Sequence, residues 1–140
     1  MPTNVIEFTK LEKTSKKFPL DFLAPKIGKV YVVAITRDGC PACAKQKPKL
    51  DKLAASLEAK HGDRVVFTRI HINYRPDSQQ ESLRSKDLLR HYFYPTNLIL
   101  IRSKDRGAIE YYRNTGPDMR ELLKNIEKAV EVAGFFEKGS

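Results

Sequence analysis

Two cysteines, Cys40 and Cys43, are the only ones in this 140-residue chain, and two residues separate them. Thiols at that spacing can exchange with a disulfide, or they can supply half of a metal site. A third reading is a pair of inert core side chains, because free cysteine is among the most buried residue types.

Their surroundings favour exchange. Val30–Thr36 is almost continuously apolar, as a strand covered on both faces would be. Gly39 then turns the chain, and Pro41 suits the first turn of a helix, where its missing N–H has no partner to lose. The first N–H groups of a helix lack intrahelical acceptors, and the macrodipole adds positive potential there. A thiolate at Cys40 is therefore stabilised, and its pKa should fall below the free value of about 8.5. Cys43 lies one turn further in, on the same side, among more buried neighbours. The expectation is that Cys40 stands open to solvent and attacks, while Cys43 resolves. Lys45, Lys47 and Lys49 add positive charge that solvent screens.

Such exchange needs no metal and no organic cofactor. A structural zinc site takes four ligands, and the only histidines are His61, His71 and His91, none paired at metal spacing. His71 alternates with Ile70 and Ile72 as an ordinary strand residue. A zinc ion or iron–sulfur cluster shared across a dimer is the metal reading that stays open.

The elements that must position the thiols read as alternating strands and helices, β-α-β-α-β-α-β-β-α, an α/β domain with a central mixed sheet. Val5–Phe8 predicts a short strand. Residues 11–29 are irregular, broken by Pro19 and Pro25, with one turn of helix in FPLDFLA packing Phe22 and Leu23. From Pro41 a helix runs to about Lys60, with Leu50, Leu53, Ala54 and Leu57 on one stripe and Gly62 as its stop. Arg64–Asn73 is a strand, Tyr74–Gln80 a polar connection and Glu81–Tyr92 a helix. NLILI (97–101) is a strand, RSKDRG (102–107) a hairpin turn with Gly107 at a positive φ, and Ala108–Tyr112 the return. Gly116-Pro117 opens a last helix, where Met119, Leu122, Leu123, Ile126, Ala129 and Val130 keep helical spacing. GFFEKGS is a frayed tail in which Phe135 and Phe136 can dock.

Pro95 immediately precedes a strand, and an aromatic residue before it, Tyr94, favours a cis bond. In cis, the Tyr94 backbone would be free to pair with an extended peptide lying beside the thiols.

Taken together, the apolar strand, the Cys-Pro-Ala-Cys helix start, Pro48 five residues after Cys43, Pro95-Thr96 before a hairpin, Gly116 and a terminal helix resemble the thioredoxin family. The likeness covers residues 29–132, with 1–28 an N-terminal strand and irregular segment and 133–140 a tail of one domain, 1–140. It implies a thioredoxin-like sheet flanked by helices, with the cysteines at one end. Pro48 takes the place of the family's helix-kinking proline, Pro95 that of its cis-proline, and Gly116 that of the glycine beside the site. Gly39, Pro41, Tyr94, Pro95 and Gly116 would then form the substrate groove. Thioredoxins carry Trp-Cys-Gly-Pro-Cys, whereas this chain has Gly39-Cys40-Pro41-Ala42-Cys43 and no tryptophan. Proline after the first cysteine is also similar to glutaredoxins, but no glutathione-binding residues accompany it. The family's buried acid corresponds to Ala34 and a nearby lysine to Arg69, a loss that would slow turnover at neutral pH unless Asp38 or water substitutes.

The function implied is a thiol-disulfide oxidoreductase acting on protein disulfides, with disulfide-containing proteins as substrates and a reductase as electron donor. Reduction is the expected direction, because cytosolic dithiols are kept reduced. The alternative is a thioredoxin-like adaptor or redox sensor that docks an acidic partner. The net charge of +9 is compatible with an acidic partner. However, its lysines and arginines are scattered, without the basic and aromatic signature of a nucleic-acid module. The longest apolar runs, Val30–Ile35 and Leu98–Ile101, fall far below the roughly 18 residues of a membrane span. MPTNVIEFTKLEKTSKK has no apolar core of a secretory signal, so the cytoplasm is the expected compartment.

Overall fold

Val30–Arg37 (β2) is the centre around which the other elements assemble. All of its residues but the last are buried, because it pairs on both edges and is covered on both faces. The computed structural model describes residues 3–14, 17–116 and 118–138; Pro117, expected to open the last helix, and the final two residues lie outside these. The other strands are β1 (Asn4–Glu7), β3 (Val65–Ile72), β4 (Thr96–Arg102) and β5 (Ala108–Thr115). The helices are α1 (Phe8–Thr14), α2 (Pro19–Leu23), α3 (Pro41–His61), α4 (Gln80–Leu89) and α5 (Met119–Glu137). The sheet order is β1-β3-β2-β4-β5, parallel from β1 to β2 and antiparallel across β2-β4-β5. This is the mixed sheet expected.

Side-chain alternation along β2 sorts the core into two halves. Val30, Val32 and Ala34 face Leu50, Ala54 and Leu57 of α3 and Leu122, Ile126, Ala129 and Ala133 of α5. Tyr31, Val33 and Ile35 face Phe8 and Leu11 of α1, Leu23 of α2 and Leu89 of α4. Each fully buried aliphatic side chain is worth about 1.5–3 kcal/mol, so both halves are needed to hold the sheet between its helices. No helix of the described residues is long and apolar enough to cross a membrane.

Four local readings are corrected. The stretch before β2 is more helical than expected, since Phe8 and Leu11, three apart, bury one face of α1. Helix α4 stops at Leu89, because Arg90 turns left-handed (φ 56°, ψ 54°). That turn buries His91 and leaves Tyr92 and Phe93 exposed, the reverse of what an unbroken helix would give. Arg113 from β5 secures the end, donating to the carbonyls of Arg90 (2.6 Å) and Leu89 (3.5 Å), which lack intrahelical donors. Strand β5 continues to Thr115 rather than ending at Tyr112. Finally, Phe135 and Phe136 belong to α5 and not to a frayed tail. Phe136 packs on the core while Phe135 stays exposed.

Candidate redox site

The cysteines stand where β2 hands over to α3. Gly39 makes the turn at φ 64°, Cys40 is the N-cap residue of α3, and Pro41 occupies the first helical turn. Cys40 and Cys43 are joined by a disulfide, with Cα atoms 5.2 Å apart. The backbone N–H of Cys43 donates to Cys40 Sγ at 3.1 Å, so the first sulfur fills the capping role usually taken by a side-chain oxygen. That amide favours negative charge on Cys40 in particular.

The expected contrast in exposure is not found. Both cysteines are 8% exposed, because the capping geometry folds Cys40 back over its own helix and the disulfide closes each sulfur against the other. Their accessible surface lies instead on the wall of a cavity of about 470 Å³, which Gly39, Pro41 and Gln46 also line. Lys45, Lys47 and Lys49 face solvent as expected, with Lys47 paired to Asp51 at 3.2 Å.

Beneath the disulfide lies a polar arrangement that the sequence reading missed. Gln46 is buried, and it exchanges two hydrogen bonds with buried Asn97: Gln46 Nε2 donates to Asn97 Oδ1 (2.8 Å), and Asn97 Nδ2 donates to Gln46 Oε1 (2.9 Å). Asn97 Nδ2 also donates to Asn114 Oδ1 at 3.0 Å and, weakly, to the Gly116 carbonyl at 3.5 Å. Two signals were present. Gln46 falls between Cys43 and Leu50 on the buried stripe of α3, and Asn97 alternates with Ile99 and Ile101 on the helix-facing side of β4.

Tyr94, Pro95 and Gly116 form the neighbouring unit. The Tyr94–Pro95 peptide bond is cis, and the Gly116 N–H donates to the Pro95 carbonyl at 3.2 Å. This unit is tied to α3 through Asn97 and Gln46, and to the end of β2 through Arg37. The Arg37 guanidinium lies 4.0 Å from the Tyr74 ring centre and 5.5 Å from that of Tyr94. The Tyr94 hydroxyl hydrogen-bonds Ser82 at 2.8 Å, and burial raises its pKa. Gly39, Pro41 and the cysteines share one cavity, and Tyr94, Pro95 and Gly116 are not among the residues that line it.

Ala34 and Arg69 are register partners on adjacent strands, so no carboxylate stands at the position of the family's acid. Asp38 does not replace it. Its carboxylate turns to the opposite side of the loop, accepting from His71 Nε2 (2.7 Å) and from the Tyr74 N–H (3.2 Å). The His71 hydrogen bond, reinforced by that amide, lowers the pKa of Asp38. His71 is more than an ordinary strand residue, for its other nitrogen meets Glu7 Oε1 at 2.9 Å. Burial pulls the His71 pKa down, but the two carboxylates outweigh it and the net direction is up. His61 pairs with Glu127 and His91 with Ser85. Among the described residues, no three His, Cys, Asp or Glu side chains gather as a metal site would require.

No family model matches this sequence, and no curated protein does either. Solved structures do. Thioredoxin NaTrxh from Nicotiana alata is 25% identical with a TM-score of 0.59, the match covering 91% of this chain and 94% of that one. Trichomonas vaginalis thioredoxin is 13% identical at a TM-score of 0.65, covering 91% and 97%. Thioredoxin f2, solved in complex with ferredoxin:thioredoxin reductase, is 22% identical at 0.57, covering 91% and 96%. The chain thus has the thioredoxin fold, and its Cys-Pro-Ala-Cys pair caps the helix that follows the central strand.

Proposed function

We propose that this protein is a thiol-disulfide oxidoreductase that reduces protein disulfides by dithiol–disulfide exchange. The observation that carries the reading is the sulfur of Cys40, which caps α3 and accepts the Cys43 amide. In the reduced protein that amide and the helix dipole favour the Cys40 thiolate over that of Cys43. The thiolate attacks one sulfur of a substrate disulfide; the S–S bond breaks, the other substrate sulfur leaves as a thiolate and takes a proton, and a mixed disulfide remains. Cys43, once deprotonated, attacks Cys40 and releases the second substrate thiolate. Two electrons have then passed to the substrate, and a reductase returns them to the Cys40–Cys43 disulfide. Gly39 and Pro41 line the cavity with the cysteines, and together with Tyr94, Pro95 and Gly116 they are the residues proposed to hold the substrate backbone. A reductase partner is in keeping with the thioredoxin f2 complex.

Insulin reduction driven by dithiothreitol tests the reading. Wild-type protein should accelerate it, Cys40→Ser should abolish the acceleration, and Cys43→Ser should accumulate mixed disulfides on Cys40. Wild-type protein inert across pH 6–9, together with a Cys43→Ser variant that traps nothing, would overturn it.

A further inference from the structure

The cavity beside the disulfide carries more positive charge than its surroundings neutralise. Arg69 lines it from β3, with Arg37 and Lys47 also on the wall. Asp51, the one carboxylate on that wall among the described residues, is held by Lys47 at 3.2 Å. Arg69 is partly buried, and among the described residues its one side-chain hydrogen bond is a long one, 3.5 Å to Thr36 Oγ1. Its neighbours across the sheet are Val5 and Ala34, which offer it no charge. A guanidinium has five donors in a planar fork, and withdrawing it from water is unfavourable unless it is paired.

A second observation points into the same space. Thr3 lines this cavity, and its Oγ1 is buried with no hydrogen-bond partner, although buried hydroxyls are nearly always satisfied. Thr36 Oγ1 already donates to the Ile70 carbonyl at 3.1 Å, so Thr3 is the hydroxyl with a proton to give. Hence one wall presents an unmatched guanidinium fork and an orphaned hydroxyl, within a volume typical of small-molecule sites.

We propose that this cavity binds a small carboxylate, its two oxygens on Arg69 and one of them also accepting from Thr3. The planar fork matches a carboxylate in a bidentate manner. Because Cys40 and Cys43 line the same cavity, the bound anion lies near their sulfurs. Negative charge there disfavours a thiolate, so occupancy should raise the thiol pKa of the reduced protein. The site is thus a means by which a small organic acid tunes the dithiol.

Titration of the oxidised full chain with acetate and succinate, followed by amide chemical shifts at constant ionic strength, tests this. Shifts around Arg69 and Thr3 should saturate. Arg69→Gln should weaken binding at least about tenfold, as loss of a charge-assisted pair does. Thr3→Val should weaken it by about three- to tenfold, the effect of one hydrogen bond, and serves if Arg69→Gln fails to fold. Lys124→Gln, on the outer face of α5, controls for net charge and should bind as wild type does. A linear response without saturation, binding by Arg69→Gln and Thr3→Val as tight as that of wild type, or phosphate binding as tightly as either carboxylate would each overturn the proposal. Since no substrate and no turnover enter the measurement, its outcome is independent of whether the oxidoreductase reading holds.

Discussion

The Gln46–Asn97 pair fastens the helix that carries the cysteines to the strand that follows the cis-proline, and its energetic worth can be measured. The two amides exchange hydrogen bonds of 2.8 and 2.9 Å with almost no access to water, being 1% and 0% exposed. Gln46→Leu keeps the volume but strands Asn97 Oδ1, at a cost of about 1–3 kcal/mol. The Asn97 amide nitrogen keeps its bond to Asn114. Asn97→Leu strands both ends of the Gln46 amide as well as Asn114 Oδ1, and should cost more, about 2–4 kcal/mol. With both residues replaced, the two facing amides are gone together, and the remaining loss is chiefly the Asn114 bond. The double variant should therefore be more stable than the sum of the single losses predicts, by about 1.5–3 kcal/mol. Urea unfolding of the four oxidised proteins gives the cycle directly, with unchanged m-values as the check that the denatured states are alike. Additivity within about 0.5 kcal/mol would refute the idea that these amides act as one buried unit.

Other consequences follow from the titrating groups and the hairpin. His91 is buried and neutral, its pKa lowered to about 4 chiefly by burial. An unfolded chain takes up that proton near pH 6.5, so stability should fall as pH drops from about 6.5 to 4, by about 3 kcal/mol in all. Thermal melts of wild type and His91→Gln should show this slope only in the former. His71 acts in the opposite sense, for its raised pKa gives stabilisation that is complete below about 6.5 and lost as pH rises through the folded value. Its carboxylate partners are half-exposed, so His71→Gln should remove no more than about 1 kcal/mol, and should flatten the melting temperature above pH 6.5. Gly107 holds φ 74°, and an added Cβ would lie 2.5 Å from Asp21 Oδ1, the oxygen that accepts the Ala108 N–H. Gly107→Ala should cost about 1–3 kcal/mol by chemical denaturation, and a cost below 0.5 kcal/mol would count against the strain.

Periodicity and punctuation carried much of the architecture. The apolar run of β2 announced a central strand, Leu50, Ala54 and Leu57 announced α3, and Gly107 marked the hairpin. Pro41 and the cysteine spacing placed the disulfide at a helix start, and Tyr94-Pro95 was readable as a cis bond. Helix α1 was harder, because seven residues with one pair of apolar anchors look much like the strand end before them. The early end of α4 was harder still. It rests on a left-handed Arg90 whose carbonyl is satisfied by Arg113, 23 positions away.

The residue types and spacings of this chain thus determined by themselves most of its elements, α1 excepted, and where the two thiols lie along them. Only the tertiary structure decided what surrounds those thiols: equal burial of Cys40 and Cys43, the joined amides of Gln46 and Asn97, an Asp38 turned toward His71, and an Arg69 without a counter-charge among the described residues. The reason is one of range. Helical and strand periods act between residues a few positions apart, whereas a buried polar atom takes whichever partner folding brings within 3 Å. For Gln46 that partner stands 51 residues further along the chain.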